Sequence, residues 1–280
     1  LTDFEERDMV AQQVRQRPVN IRSVALPAEH GGWGFLLEPI VLGLLLVPTL
    51  AGLLFSVSML AVFLIHQPLK IALKDRSKGR RTPRTQMAER FVLLFGAIAG
   101  LSLLPVLATV IAEEKWAFFL PLMLALPLAA VQYAYDARNQ SRALVAELAG
   151  GLALGAIASG IVLIGCWGLP QALALWALLI ARTAPSILYV RARLRVQREQ
   201  PAPVNATYVL HGVALMAVNG LALIGLLPWL SVIPMLILFA RAYHGLNTSV
   251  RLRASAVGIR EMLYGLCVVS LTVVGFVIGL

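Results

Sequence analysis

The sequence predicts an all-α bundle of transmembrane helices in a single domain, about nine spans in number. Three observations carry the prediction. Hydrophobic residues make up 59% of the 280 and charged residues only 14%, whereas a soluble domain runs near half apolar and a quarter charged. The apolar residues fall into runs of about 20, the length that crosses a hydrocarbon core. The polar breaks between those runs alternate in charge, as the positive-inside rule requires of a polytopic protein.

The elements follow in order. Residues 1–27 are polar and lack the apolar core of a signal peptide; they read as a cytosolic arm, with a helical tendency at 5–16. The stretch 34–65 carries a single charge, Glu38, and is too long for one span. Its Pro48-Thr49-Leu50-Ala51-Gly52 turn signal divides it into spans at 31–49 and 53–72. A charged loop covers 70–90, and spans at 91–112 and 117–135 are separated by Glu113-Glu114-Lys115. After a polar break at 135–142 come spans at 144–166 and 170–190, a basic loop at 191–203, spans at 205–226 and 229–244, a polar loop at 244–260 and a last span at 261–280. Residues 28–280 thus form one transmembrane domain.

With this count, 23 of the 24 Lys and Arg lie on one side of the membrane, Lys115 being the exception. Merging the first two spans would separate the arm from the eight-charge loop at 70–90, so the nine-span count is the one that keeps them together. The net charge of +10 is explained by topology, which removes the argument for nucleic acid. Cys166 and Cys267 sit in apolar runs and form neither a CxxC pair nor a disulfide framework. In the fifth span, Gly151-xxx-Gly155-xxx-Ser159 forms a small-residue face for close helix packing, with Gly150 and Gly160 beside it.

Ionisable groups at membrane depth are costly and face a partner or a cavity, so these residues are the functional candidates. His30 and Glu38 share a face with Gly34 at four-residue spacing. His66, Lys70 and Lys74 line one face at the mouth of the second span, allowing for a kink at Pro68, with Asp75 and Arg76 following. Eight basic residues in that segment suit a phosphate, diphosphate or lipid head group. Glu147 lies one turn inside the fifth span and needs an arginine such as Arg142 or Arg182. Arg182, Ser186, Tyr189 and Arg193, at offsets of 4, 7 and 11, occupy one helical face of the sixth. His211, Asn219, Arg241 and His244 form a weaker set. No HExxH, Cys/His cluster or helically paired carboxylates is present, so no metal site is nominated and no cofactor is named.

The segments AEHGGWGFLLEP, HQPLKIALKDRSKGRRTPRT and NQSRALVAELAGG resemble the motifs of the bacterial YwiC-like membrane protein family, which has no assigned activity. The resemblance implies a bacterial cytoplasmic membrane protein. The architecture is similar to that of the UbiA intramembrane prenyltransferases, whose nine helices place Asp-rich, Mg²⁺-binding motifs after helices two and six. This chain departs from that pattern: only Asp75 stands after the second span, and Arg182, Arg191 and Arg193 stand at the end of the sixth. Arginine and lysine hold phosphates directly. The expectation is therefore a membrane protein, N-terminus in the cytoplasm, whose cytoplasm-facing cavity binds an anionic, prenyl-phosphate-like lipid, as a transferase of UbiA type or a relative without Mg²⁺ chemistry. Arg182, Arg193, Lys70 and Lys74 would hold the head, with His30, Glu38, Arg76, Arg142 and Tyr189 around it. His66, Asp75 and Glu147 would be the acid–base or orienting groups. The alternatives are a transporter or a non-enzymatic membrane partner of a respiratory assembly.

Overall fold

The computed structural model describes residues 21–26, 30–79, 81–248 and 250–279, with the backbone alone for residues 30 and 31. The expected arm helix at 5–16 lies outside the described residues. The elements are α1 (Ile21–Ala25), α2 (His30–Leu46), α3 (Leu50–Ser77), α4 (Pro83–Ala112), α5 (Phe119–Ala137), α6 (Leu144–Ile164), α7 (Leu169–Val196), α8 (Val204–Leu223), α9 (Val232–Asn247) and α10 (Ala254–Ile278). One-turn 3-10 segments at Trp116–Phe118 and Trp229–Ser231 lead into α5 and α9. Among the described residues every regular element is helical, and the chain is an integral membrane protein: eight of these helices are long and apolar enough to cross a bilayer. The remaining apolar helix, α2, has 17 residues and spans about 26 Å at the usual rise, so eight of the expected nine spans have the length to cross and α2 falls short of it.

Helix ends differ from the expected ones where polar residues continue a helix beyond its apolar run. The expected loop at 70–90 is mostly helical, because α3 runs through Pro68 to Ser77 and α4 starts at Pro83. Thr82 caps α4 by accepting the Thr85 amide at 3.2 Å, with proline in the first helical position, where its missing N–H costs nothing. The turn read at Pro48-Thr49 is present: the Thr49 hydroxyl accepts the Gly52 amide at 3.0 Å and opens α3.

The chain divides into two compact units, residues 1–28 with 61–97, and residues 29–60 with 98–280. In the first, Val24, Ile71, Ala72 and Ala88 form a small core flanked by Met87 and Phe91. The Thr85 hydroxyl donates to Asp75 at 2.7 Å, and Arg76 pairs with Glu89 at 2.7 Å.

The second unit is built around α6 and α7, whose membrane windows are 72% and 67% buried, against 17% for α5. Small residues make this possible. A Cβ on Gly151 would lie 2.8 Å from Thr183 and one on Gly155 3.0 Å from Trp176, both on α7. The Ser159 hydroxyl donates to the Ala172 carbonyl at 2.6 Å. The predicted small-residue face is thus the α6–α7 seam. Outward, α4, α5, α8 and α10 expose leucine, valine and isoleucine, the surface expected in contact with lipid. Trp116 and Trp229 are exposed where α5 and α9 begin, the interfacial position tryptophan favours.

Candidate functional site: an arginine-rich cavity beside α7

The face of α7 read from the sequence is buried along its length: Arg182, Ser186, Tyr189 and Arg193 are all inside the protein, Arg182 only 1% exposed. A guanidinium at that depth needs an opposite charge. Arg182 Nη2 donates to Glu38 Oε1 of α2 at 2.8 Å and to the Glu261 carbonyl of α10 at 2.7 Å, with the Phe35 ring 5.5 Å away. One arginine therefore ties three helices. Gly265 makes the approach possible, because a Cβ there would overlap the Glu38 carboxylate and crowd Arg182.

A second arginine repeats the arrangement toward the basic ends of the helices. Arg241 of α9 donates through Nη1 to Glu261 Oε1 at 2.5 Å and through Nη2 to the Ser186 hydroxyl at 3.3 Å. Its Cζ lies 4.0 Å from the Tyr189 ring and 5.3 Å from Tyr264, so two aromatic faces flank the cation. Arg193 serves differently. Its Nη1 donates to the Thr248 carbonyl at 2.8 Å and its Nη2 to the Val250 carbonyl. With its amide turned to satisfy both ends, Gln197 accepts from Arg193 Nε at 3.1 Å and donates to the Leu252 carbonyl at 2.9 Å. The α9–α10 connection is held through its backbone.

Between α7, α9 and α10 lies a cavity of about 290 Å³. Its charged lining is Arg193, Arg241, Arg260 and Glu261, with His244 at the rim, Tyr189 and Tyr264 as aromatic walls and Thr248, Val250 and Leu252 of the α9–α10 connection closing one side. Arg260 and His244 are exposed. Four buried polar atoms in this region have no hydrogen-bond partner among the described residues: Arg182 Nε and Nη1, Arg241 Nε and Glu261 Oε2.

The sequence candidates distribute unevenly. Glu38 and Arg182 come together, and Tyr189 and Arg193 line the cavity. Glu147 meets neither Arg142 nor Arg182, contrary to expectation. Its carboxylate takes Arg191 at 2.7 Å, whose Nη1 also donates to the Arg142 carbonyl at 2.9 Å. The reason is that Arg182 is already neutralised by Glu38, while Arg191 is placed beside the first turn of α6. His66, Lys70, Lys74, Asp75 and Arg76 belong to the other compact unit, where Asp75 holds Thr85 and Arg76 holds Glu89. The His30 side chain lies outside the described residues. His211 is buried in α8, its Nδ1 2.8 Å from the Thr207 carbonyl.

Arg260, Glu261 and Tyr264 were not among the expected residues. Had α10 been started at Ala254, Val257, Glu261, Tyr264 and Val268 would have shown the same 4, 7, 11 spacing as the α7 face. The Mg²⁺ of a UbiA-type site has no matching donor set: no group of three or more His, Cys, Asp or Glu that could hold a metal ion occurs among the described residues.

No curated protein and no solved structure matches the chain. Residues 26–162 match the family model described as YwiC-like protein, a region that contains Glu38, α2 to α5 and nearly all of α6, so the chain is similar to the YwiC-like family over that region while α7, α9 and α10 lie beyond it.

Proposed function

We propose that this membrane protein binds the anionic head group of a lipid in the cavity between α7, α9 and α10, with the basic helix ends facing the cytoplasm of a bacterial cell. The charge balance of the lining supports the reading: three arginines and a histidine face one glutamate. Arg193 and Arg241 are held by protein partners and set a fixed positive wall, while Arg260 and His244 stand at the rim to meet a ligand. The volume, at the lower edge of the roughly 300–1,000 Å³ usual for small-molecule sites, suits a head group rather than a whole amphiphile.

The test is native mass spectrometry of the purified protein and of its Arg260→Ala and His244→Ala/Arg260→Ala variants. Both positions are exposed and neither side chain belongs to a buried ion pair, so folding is expected to be kept. The wild type is expected to retain anionic phospholipid over phosphatidylcholine, and the double variant to lose about tenfold in retention, as for the removal of one or two charge-assisted hydrogen bonds. Added Mg²⁺ or EDTA is expected to change nothing. A wild type without preference for anionic lipid would overturn the reading, and Mg²⁺-dependent retention would return the case to a metal-assisted transferase.

A further inference from the structure

The cavity is not purely cationic, and its one carboxylate carries information about the ligand. Glu261 Oε1 is taken by Arg241, but Glu261 Oε2 is buried and receives no hydrogen bond from any described residue. A buried acceptor without a donor is costly, more so when it carries charge. In this arrangement the nearby cations do not reach it: Arg193 is turned to the backbone of the α9–α10 connection, and Arg241 directs its terminal nitrogens to Glu261 Oε1 and to the Ser186 hydroxyl. A plain anion would bring only acceptors to this wall and would be repelled by Glu261. An anion with a donor a few bonds away would satisfy both sides at once.

We infer that the cavity selects a phosphate ester whose head group also carries a hydrogen-bond donor, a hydroxyl or an ammonium, and that Glu261 accepts that donor while the arginines face the phosphate. The inference rests on the head-group reading above and narrows it. Glu261 is then the residue that sets specificity, and Arg241 is a positioning residue that fixes its carboxylate through Oε1. The hydroxyl and the ammonium share this chemistry and differ in the lipid that brings them.

Two matched lipid pairs separate these cases on the intact protein. Phosphatidylglycerol and phosphatidylmethanol carry the same charge, and only the first has free hydroxyls. Phosphatidylethanolamine and phosphatidylcholine share a zwitterionic head, and only the first has N–H donors. Competitive retention in mixed micelles, read by native mass spectrometry, is expected to favour the donor-bearing member of at least one pair by about tenfold, the scale of one buried hydrogen bond to a charged group. The pair that discriminates names the donor. In Glu261→Gln the preference is expected to fall to within about threefold, because the ionic acceptor is gone. Should that variant fail to fold for want of the Arg241 partner, the wild-type pairs still decide. Equal retention within both pairs overturns the inference, and so does a folded Glu261→Gln protein that keeps the preference. In either case a loss of anionic lipid in the rim variants would leave the broader reading standing. If no anionic or donor-bearing lipid is retained selectively, both fall together.

Discussion

Arg182 and Glu38 show what a residue at membrane depth reveals in a sequence and what it hides. The cost of a cation inside an apolar run states that a partner exists, and the 4, 7, 11 spacing states which face it occupies. Neither identifies Glu38, because the two are 144 positions apart and only the tertiary fold pairs them. The same gap explains Glu147: its need for an arginine was legible, and the choice of Arg191 over Arg182 was settled by which guanidinium of α7 the Glu38 pair left available. The buried pair makes a sharp prediction. Glu38→Gln alone strands the Arg182 charge and is expected to cost about 3–5 kcal/mol, whereas Glu38→Leu with Arg182→Met removes both charges and is expected to cost much less. Thermal unfolding in detergent, run as a double-mutant cycle, measures the difference; additive losses would mean that the pair is not coupled.

At the scale of elements, the helices were legible as apolar runs and their ends were not. A run of hydrophobic residues marks what can lie in the bilayer, but α3, α7 and α10 continue beyond their apolar runs on polar residues whose helicity hydropathy does not report. The Thr82-Pro83 cap was a readable start signal for α4; α10 opens behind Arg253, which makes no side-chain cap. Starting α10 seven residues late concealed Glu261 and Tyr264 as a face. The small residues of α6 were read correctly, since close approach depends on side-chain size and spacing alone. α10 supplies its own control for that principle. Gly265→Ala is expected to lower the melting temperature by many degrees, because the added methyl group meets Glu38 and Arg182, while Gly258→Ala in the same helix meets nothing within 4 Å and is expected to be neutral or slightly stabilising. Equal effects of the two would show that α10 does not pack against the ion pair as described.

For the whole molecule, the strongest signal was the segregation of Lys and Arg, which counts spans without locating any contact. It also predicts an orientation, with the N-terminus in the cytoplasm. Cys166 is exposed at the C-terminal end of α6 and Ser255 is exposed in the first turn of α10, at opposite ends of the predicted topology. In a background without Cys267, a membrane-impermeant maleimide applied to spheroplasts is expected to label Cys166. A Ser255→Cys variant lacking Cys166 should be labelled only after lysis. The reverse pattern would place the N-terminus outside. One further consequence concerns the 248–252 connection. Arg193 and Gln197 grip it by carbonyl and amide groups that every sequence possesses. A lock that recognises only the main chain is indifferent to the side chains it holds. The rim of the cavity can therefore change its chemistry from one relative to another while its shape stays put, which makes this short segment the natural place for ligand preference to diverge.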